Sequence, residues 1–138
     1  MPDSENIDAG LESYLRSDVT LQALCPGGVY LGAAPQNVSH PFIVWFLQTS
    51  ADDRTHDRGG YETALYEVKA VGQGTEAATV AAASRRLRAL LEGASWPVDG
   101  YTIVRCEREQ RIAYVELDGD RRWQHRGALW DVWAAPAA

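Results

Sequence analysis

The sequence predicts an α+β fold: a mainly antiparallel sheet with one long helix and a short N-terminal helix packed on one face. Three observations carry this. The elements run helix, three strands, one long helix, then two or three strands, so the alternating βαβα units of a parallel doubly wound sheet are absent. Only the stretch "GQGTEAATVAAASRRLRALLEGA" has a sustained helical stripe beyond the N-terminal segment. The run "YETALYEVKAVGQ" alternates as a half-buried antiparallel strand does. With 138 residues, positions 1–138 fit one domain, with 1–6 and 135–138 expected to fray.

Taken in order, Ile7, Leu11, Tyr14 and Leu15 fall at i, i+4, i+7 and i+8, the stripe of an amphipathic helix. Ser17 or Asp18 caps a second short turn bearing Leu21 and Leu24, and "PGG" ends it. "VYLG" is a short strand and "AAPQNVSHP" a loop. Pro41 cannot donate to a ladder and marks the entry to the next strand, which runs to about Thr49. "SADDRTHDRGG" suits a charged hairpin tip. The returning strand puts Ala64, Tyr66, Val68 and Ala70 on one face.

Thr75 is the expected N-cap of the long helix, and Glu76 sits where the helix dipole favours a carboxylate. Val80, Ala83, Leu87, Leu90 and Leu91 form its apolar stripe. Gly93 suits a left-handed stop, and Pro97 prevents a restart. Beyond it, "YTIVRCERE" and "IAYVELD" are two extended runs or one long bent strand. "GDRRWQ" is a hairpin tip, and "HRGALWDVWAA" closes the sheet.

One stretch poses a packing problem. "HPFIVWFLQTS" holds six consecutive apolar residues, Phe42 to Leu47. Phe42, Val44 and Phe46 face one way; Ile43, Trp45 and Leu47 face the other. The last strand repeats this, with Trp130 and Val132 opposed to Leu129 and Trp133. One helix layer hides one face. The second requires a sheet folded over on itself or a neighbouring subunit.

Composition excludes several classes. Thirteen basic against 19 acidic side chains leave a net charge of −6, unlike a free-standing nucleic-acid binder with its basic face. No basic-then-apolar leader opens the chain and no window reaches a membrane span, so a cytoplasmic protein is expected. Cys25 and Cys106 are too few for a disulfide framework or a zinc site, and read as buried thiols. His40, His56 and His125 lie in unrelated segments without metal spacing. Asp52, Asp53 and Asp57 around His56 offer a cation site or, more simply, a solvated tip. GxSxG, P-loop and GxGxxG motifs are absent. No catalytic residue, metal or cofactor is therefore expected.

What remains suits association. The tip from Asp52 to Arg58, comprising Asp52, Asp53, Arg54, His56, Asp57 and Arg58, can reach a neighbour. Arg85, Arg86 and Arg88 on the outer face of the long helix form a basic counterpart, and Trp123 in "DRRWQ" is a candidate anchor. Opposite charges in different places suit head-to-tail contacts between identical copies, which close into rings when the rotation allows.

The ordered segments "LQALCPGGVYLGAAPQNVSHPFIVWFLQTS", "ALYEVKAVGQGTEAATVAAASRRLRALLEG" and "HRGALWDVWA" resemble the tail-completion, or tail-terminator, proteins of long-tailed phages and related tail-like particles. The resemblance covers roughly residues 11 to 134. It implies an α+β subunit, assembled in a host cytoplasm into a hexameric ring at the head-proximal end of the virion tail. Its partners would be further copies of itself, the major tail-tube protein and a neck or head-completion protein. DNA would pass through the lumen without being gripped. A neck or head-completion adaptor ring is the sibling reading. A small-molecule-binding module, with Trp45, Trp130 and Trp133 lining a cavity, is the alternative from another class.

Overall fold

The computed structural model describes residues 3–53 and 60–137, with side chains described outside 51–53. Helix α1 (Glu5–Arg16) and helix α2 (Val19–Leu24) lead into strand β1 (Val29–Leu31). Strands β2 (Phe42–Asp53) and β3 (Tyr61–Gln73) form a long antiparallel pair. A 3-10 turn (Gly74–Glu76) passes into helix α3 (Ala77–Leu91). Strands β4 (Pro97–Val98), β5 (Tyr101–Asp118) and β6 (Arg121–Pro136) complete the chain. The fold is α+β, and the six-stranded sheet has the order β1-β2-β3-β6-β5-β4. β1 and β2 are parallel; every other pair is antiparallel. The last strand thus inserts beside β3, at the sheet's middle.

All three helices share one face of the sheet with the main core. Ile7, Leu11 and Leu15 of α1 meet Ile43 and Trp45 of β2, Tyr66 and Val68 of β3, and Trp130 and Val132 of β6 beneath Val80, Leu87 and Leu91 of α3. Each large aliphatic buried there contributes roughly 1.5–3 kcal/mol, and Leu87→Ala would cost about 2–5 kcal/mol. Asp18 ties the helices together. Its carboxylate accepts from Leu21 N at 2.8 Å, capping α2, and from Arg86 Nε and Nη2 of α3 at 2.9 and 2.6 Å. Gly127 lets β6 approach β3 closely, since a Cβ there would lie 2.1 Å from the Val68 carbonyl oxygen.

The packing problem has an answer within the chain. Ile43 and Trp45 are 0% and 2% exposed in the main core. On the opposite face Phe42, Val44 and Val71 form a second small cluster, covered by Tyr30, Ala34, Val38, Phe46 and Trp123. Ala34 and Val38 belong to the segment between β1 and β2, which folds back over β2. No neighbour is needed at Phe42 and Val44: the joining segment covers them together with the curl of the sheet, which brings the Trp123 ring of β6 to 6.3 Å from that of Phe42. Trp133, on the same side as Leu129, is only half-buried, its Nε1 donating to Asp131 at 3.0 Å.

One helix cap differs from the sequence reading. The α3 entry is capped by Gln73 rather than Thr75: Gln73 and Glu76 form a reciprocal capping box, with Glu76 Oε1 accepting from Gln73 N at 2.6 Å. Helix α1 starts at Glu5, and β6 runs to Pro136, paired with Tyr101. Of the two readings of "YTIVRCERE" and "IAYVELD", the one long bent strand is found, its register against β6 shifting at Val104 and at Glu109. Such bulges bend and twist a strand without ending it.

Candidate association surface

Strand β5 is where the sheet is least finished. β4 pairs only with Tyr101 and Thr102. The carbonyls of Ile103 and Cys106 are taken by Ser95 Oγ at 3.0 Å and Gly93 N at 2.8 Å. From Glu107 to Asp118 no strand pairs with the outer edge of β5 among the described residues. The first half of this edge is studded with Arg108, Glu109 and Arg111, the charged side chains by which proteins deter edge pairing. Its second half is apolar and exposed: Tyr114, Val115 and Leu117 are 45%, 48% and 68% accessible. The other edge of the sheet is also short of cover, because β1 pairs only with Ile43 to Trp45 of the much longer β2.

A cleft opens between α3 and the β5–β6 ladder, on the helix side of the sheet. It encloses about 360 Å³ and is lined by Arg85 and Arg88 of α3, Arg108 and Arg111 of β5, and Arg126 of β6. Trp130, Ala128 and Gly127 line it from β6. The ladder register explains the convergence. Arg108 lies opposite Trp130, Arg111 opposite Ala128, and Ala113 opposite Arg126, so these residues all point to the face that carries the core. Once β5 passes beyond the flank of α3, the same face carries guanidinium groups in place of Ile103 and Cys106.

On the opposite face a recess of about 800 Å³ lies beneath the segment joining β1 to β2, with Lys69, Trp123 and His125 in its lining. His125 stacks on Tyr114 with centroids 4.4 Å apart, and its Nε2 lies 2.9 Å from Glu116 Oε1. Burial pushes its pKa below the usual histidine value, against the pull of Glu116. Lys69 Nζ donates to the Tyr114 hydroxyl at 2.7 Å and lies 3.2 Å from Glu67 Oε2.

The residues singled out from sequence fare differently. Arg54, His56, Asp57 and Arg58 lie outside the described residues; Asp52 and Asp53 are placed by their backbone alone, paired with Glu62 and Tyr61 at the end of β2. Arg85 and Arg88 do stand together on the cleft. Arg86 points elsewhere, into its bidentate pair with Asp18. Trp123 is in β6, not on the hairpin tip; it packs against His40 and Phe42, with ring centroids 5.7 and 6.3 Å away. Trp45 and Trp130 are core residues, so they do not line a ligand cavity with Trp133. Sequence reading passed over Arg108, Arg111 and Arg126. Strand periodicity puts Arg111 and Ala113 on one face, but that this face meets the α3 arginines depends on the bulge at Glu109.

Chemical groups elsewhere are quiet. The Cys25 and Cys106 thiols are both pushed up to about 12 by burial, far from the range of reactive cysteines. The described residues hold no cluster of three or more metal-ligating side chains, and no helix among them is long and apolar enough to cross a membrane.

The sequence model of a family described as "Tail completion protein gp17" matches residues 10–130. The chain belongs to this tail completion family. It is thus a structural protein of a phage tail, located in the virion. A solved chain from the "Virion of native gene transfer agent (GTA) particle" shares the fold at a TM-score of 0.74 and 18% identity, over 94% of each chain. A second solved structure matches at a TM-score of 0.60 and 15% identity, over 100% of this chain and 99% of the other. No curated protein matches.

Proposed function

We propose that this tail-completion protein works as a hexameric ring that caps the tail tube, halts its polymerisation and offers the surface on which the head is joined. Membership of the tail completion family over residues 10–130 carries this reading. The likeness in fold to a chain of a gene transfer agent virion, covering nearly the whole of both, supports it. So does the distribution of surface: an open β5 edge with exposed Tyr114, Val115 and Leu117, and arginines gathered on one cleft. An unpaired edge carrying exposed apolar side chains is an aggregation hazard unless a specific partner covers it.

In this reading the direct partners are further copies of the chain, the tail-tube protein beneath and the neck or head-completion protein above. In the same reading, residues 52–58 contact the tube or the adjacent copy. The net charge of −6 keeps a passing duplex from sticking. The role is mechanical, needing no catalysis, metal or cofactor.

Deletion of the gene, followed by electron microscopy of the tails, tests the reading. Tails of irregular, excessive length that fail to join heads are expected. Normal tails beside filled heads that leak DNA would instead make the protein a neck adaptor. Tails of normal length on intact particles would refute both.

A further inference from the structure

The cleft between α3 and the β5–β6 ladder is hard to explain by folding alone. Five arginines, Arg85, Arg88, Arg108, Arg111 and Arg126, surround one recess in a chain that is acidic overall. Only Arg88 has a carboxylate partner within the described residues, Glu92 at 2.6 Å. Like charges gathered this way repel one another, and Glu92, which pairs with Arg88 and also feels the charge of Arg108, offsets only part of this. Such a cleft is built to receive anionic groups from outside.

Helix α1 supplies the matching surface. Asp3, Glu5, Asp8 and Glu12 precede its first basic residue, Arg16. The other acidic stretches are interleaved with arginine: Asp118 and Asp120 stand beside Arg121 and Arg122, and Glu107 and Glu109 beside Arg105 and Arg108. Glu5, Asp8 and Glu12 fall at i, i+3 and i+7, a row of roughly 10 Å along one face. That face borders the core, which takes Ile7, Leu11 and Leu15. Asp8 accepts from the buried Tyr66 hydroxyl and Glu12 lies 3.6 Å from Arg16, while Glu5 is exposed. Helix α1 cannot reach the cleft of its own chain. It is tied across the sheet, from Asn6 Nδ2 donating to the Asp99 carbonyl beside β4 to Arg16 Nη2 donating to the Val29 carbonyl of β1.

We infer that the arginine cleft of one copy receives the acidic face of α1 from the next copy, head-to-tail. Two different patches on one molecule meeting in this way form a heterologous contact, the kind that generates rings. Because a carboxylate row meets a guanidinium cleft, the contact sets register and partner choice as well as affinity. This inference rests on the ring proposed above and names the surfaces that would close it. Duplex DNA is the competing polyanion, disfavoured because the rest of the chain repels it.

Charge reversal on each side, and then on both, tests it in a strain deleted for the gene and supplied with variants. Arg108→Glu with Arg111→Glu reverses the cleft at two exposed positions; Glu5→Lys with Glu12→Lys reverses the helix. Circular dichroism confirms that each folds, and Arg108→Gln with Arg111→Gln serves if the reversed cleft does not. Capped tails, counted by electron microscopy, should fall at least about tenfold for either reversal, since like charges then face each other across the contact. The chain carrying both reversals should recover. Capping at the wild-type level by both single-side variants would overturn the inference and leave the ring reading intact. Loss on each side without recovery in the combined chain would rule out α1 as the occupant. Normal capping by the cleft variant, with loss of its affinity for a short DNA duplex in fluorescence anisotropy, would make the cleft a nucleic-acid site. If the wild-type protein caps no tails, the ring reading fails and takes this inference with it.

Discussion

Phe42→Ala probes the claim that the chain covers both faces of β2 by itself. Phe42 is 8% exposed, and its neighbours are Val44 and Val71 with Tyr30, Ala34, Val38, Phe46 and Trp123 around them. Truncating a buried Phe costs about 3–5 kcal/mol. The lower end applies here, because a cluster of three buried residues under a loop can settle into part of the void. With a urea dependence of about 2 kcal/mol per molar, a loss of about 3 kcal/mol moves the unfolding midpoint down by about 1.5 M. Trp123, 6.3 Å from the Phe42 ring, gives a fluorescence report at the site itself. The measurement belongs at concentrations where sedimentation shows a monomer, and the midpoint should not vary with protein concentration. A loss below about 1 kcal/mol, or a wild-type midpoint that climbs with concentration as subunit linkage requires, would refute the reasoning.

Further predictions bear on other parts of the fold. Gly127→Ala should lower stability by about 1–3 kcal/mol, since the new Cβ meets the Val68 carbonyl at 2.1 Å and β3 must yield; a thermal melt unchanged within error would contradict the close approach. Burial holds the His125 pKa down, so the unfolded chain takes up a proton first as pH falls below about 6.5. Unfolding free energy should therefore decrease with falling pH in that window and be level above it, and His125→Gln should flatten the slope, as urea titrations at several pH values would show. Cys25 and Cys106, with thiols pushed up to about 12, should resist a thiol reagent at pH 8 and react fully in urea; prompt labelling of the native protein would contradict their burial.

The elements that were legible in the sequence are those whose pattern is local. The α1 stripe, the Asp18 cap, the alternation of β3 and the Gly93 stop each need only a few consecutive residues to read. The cover on the outer face of β2 was not legible, because "AAPQNVSHP" looks like any polar loop, and its return over Phe42 is a tertiary fact. Trp123 was misplaced for a similar reason: the turn consists of Gly119 and Asp120, and the arginines and tryptophan that follow them directly already belong to β6. Arg85 and Arg88 were legible as a basic patch. Their meeting with Arg108, Arg111 and Arg126 was not, since it depends on the sheet order that sets β5 and β6 beside α3. Arg86 illustrates the converse, a residue of the same helical cluster spent inside the molecule on Asp18.

Cryo-electron microscopy of intact particles offers the sharpest trial of the function. The account predicts a single closed ring of this chain at the head-proximal end of the tail tube, with each α1 seated against its neighbour's α3. A tube that ends at the neck without this chain, or copies of it distributed along the tube's length, would contradict it.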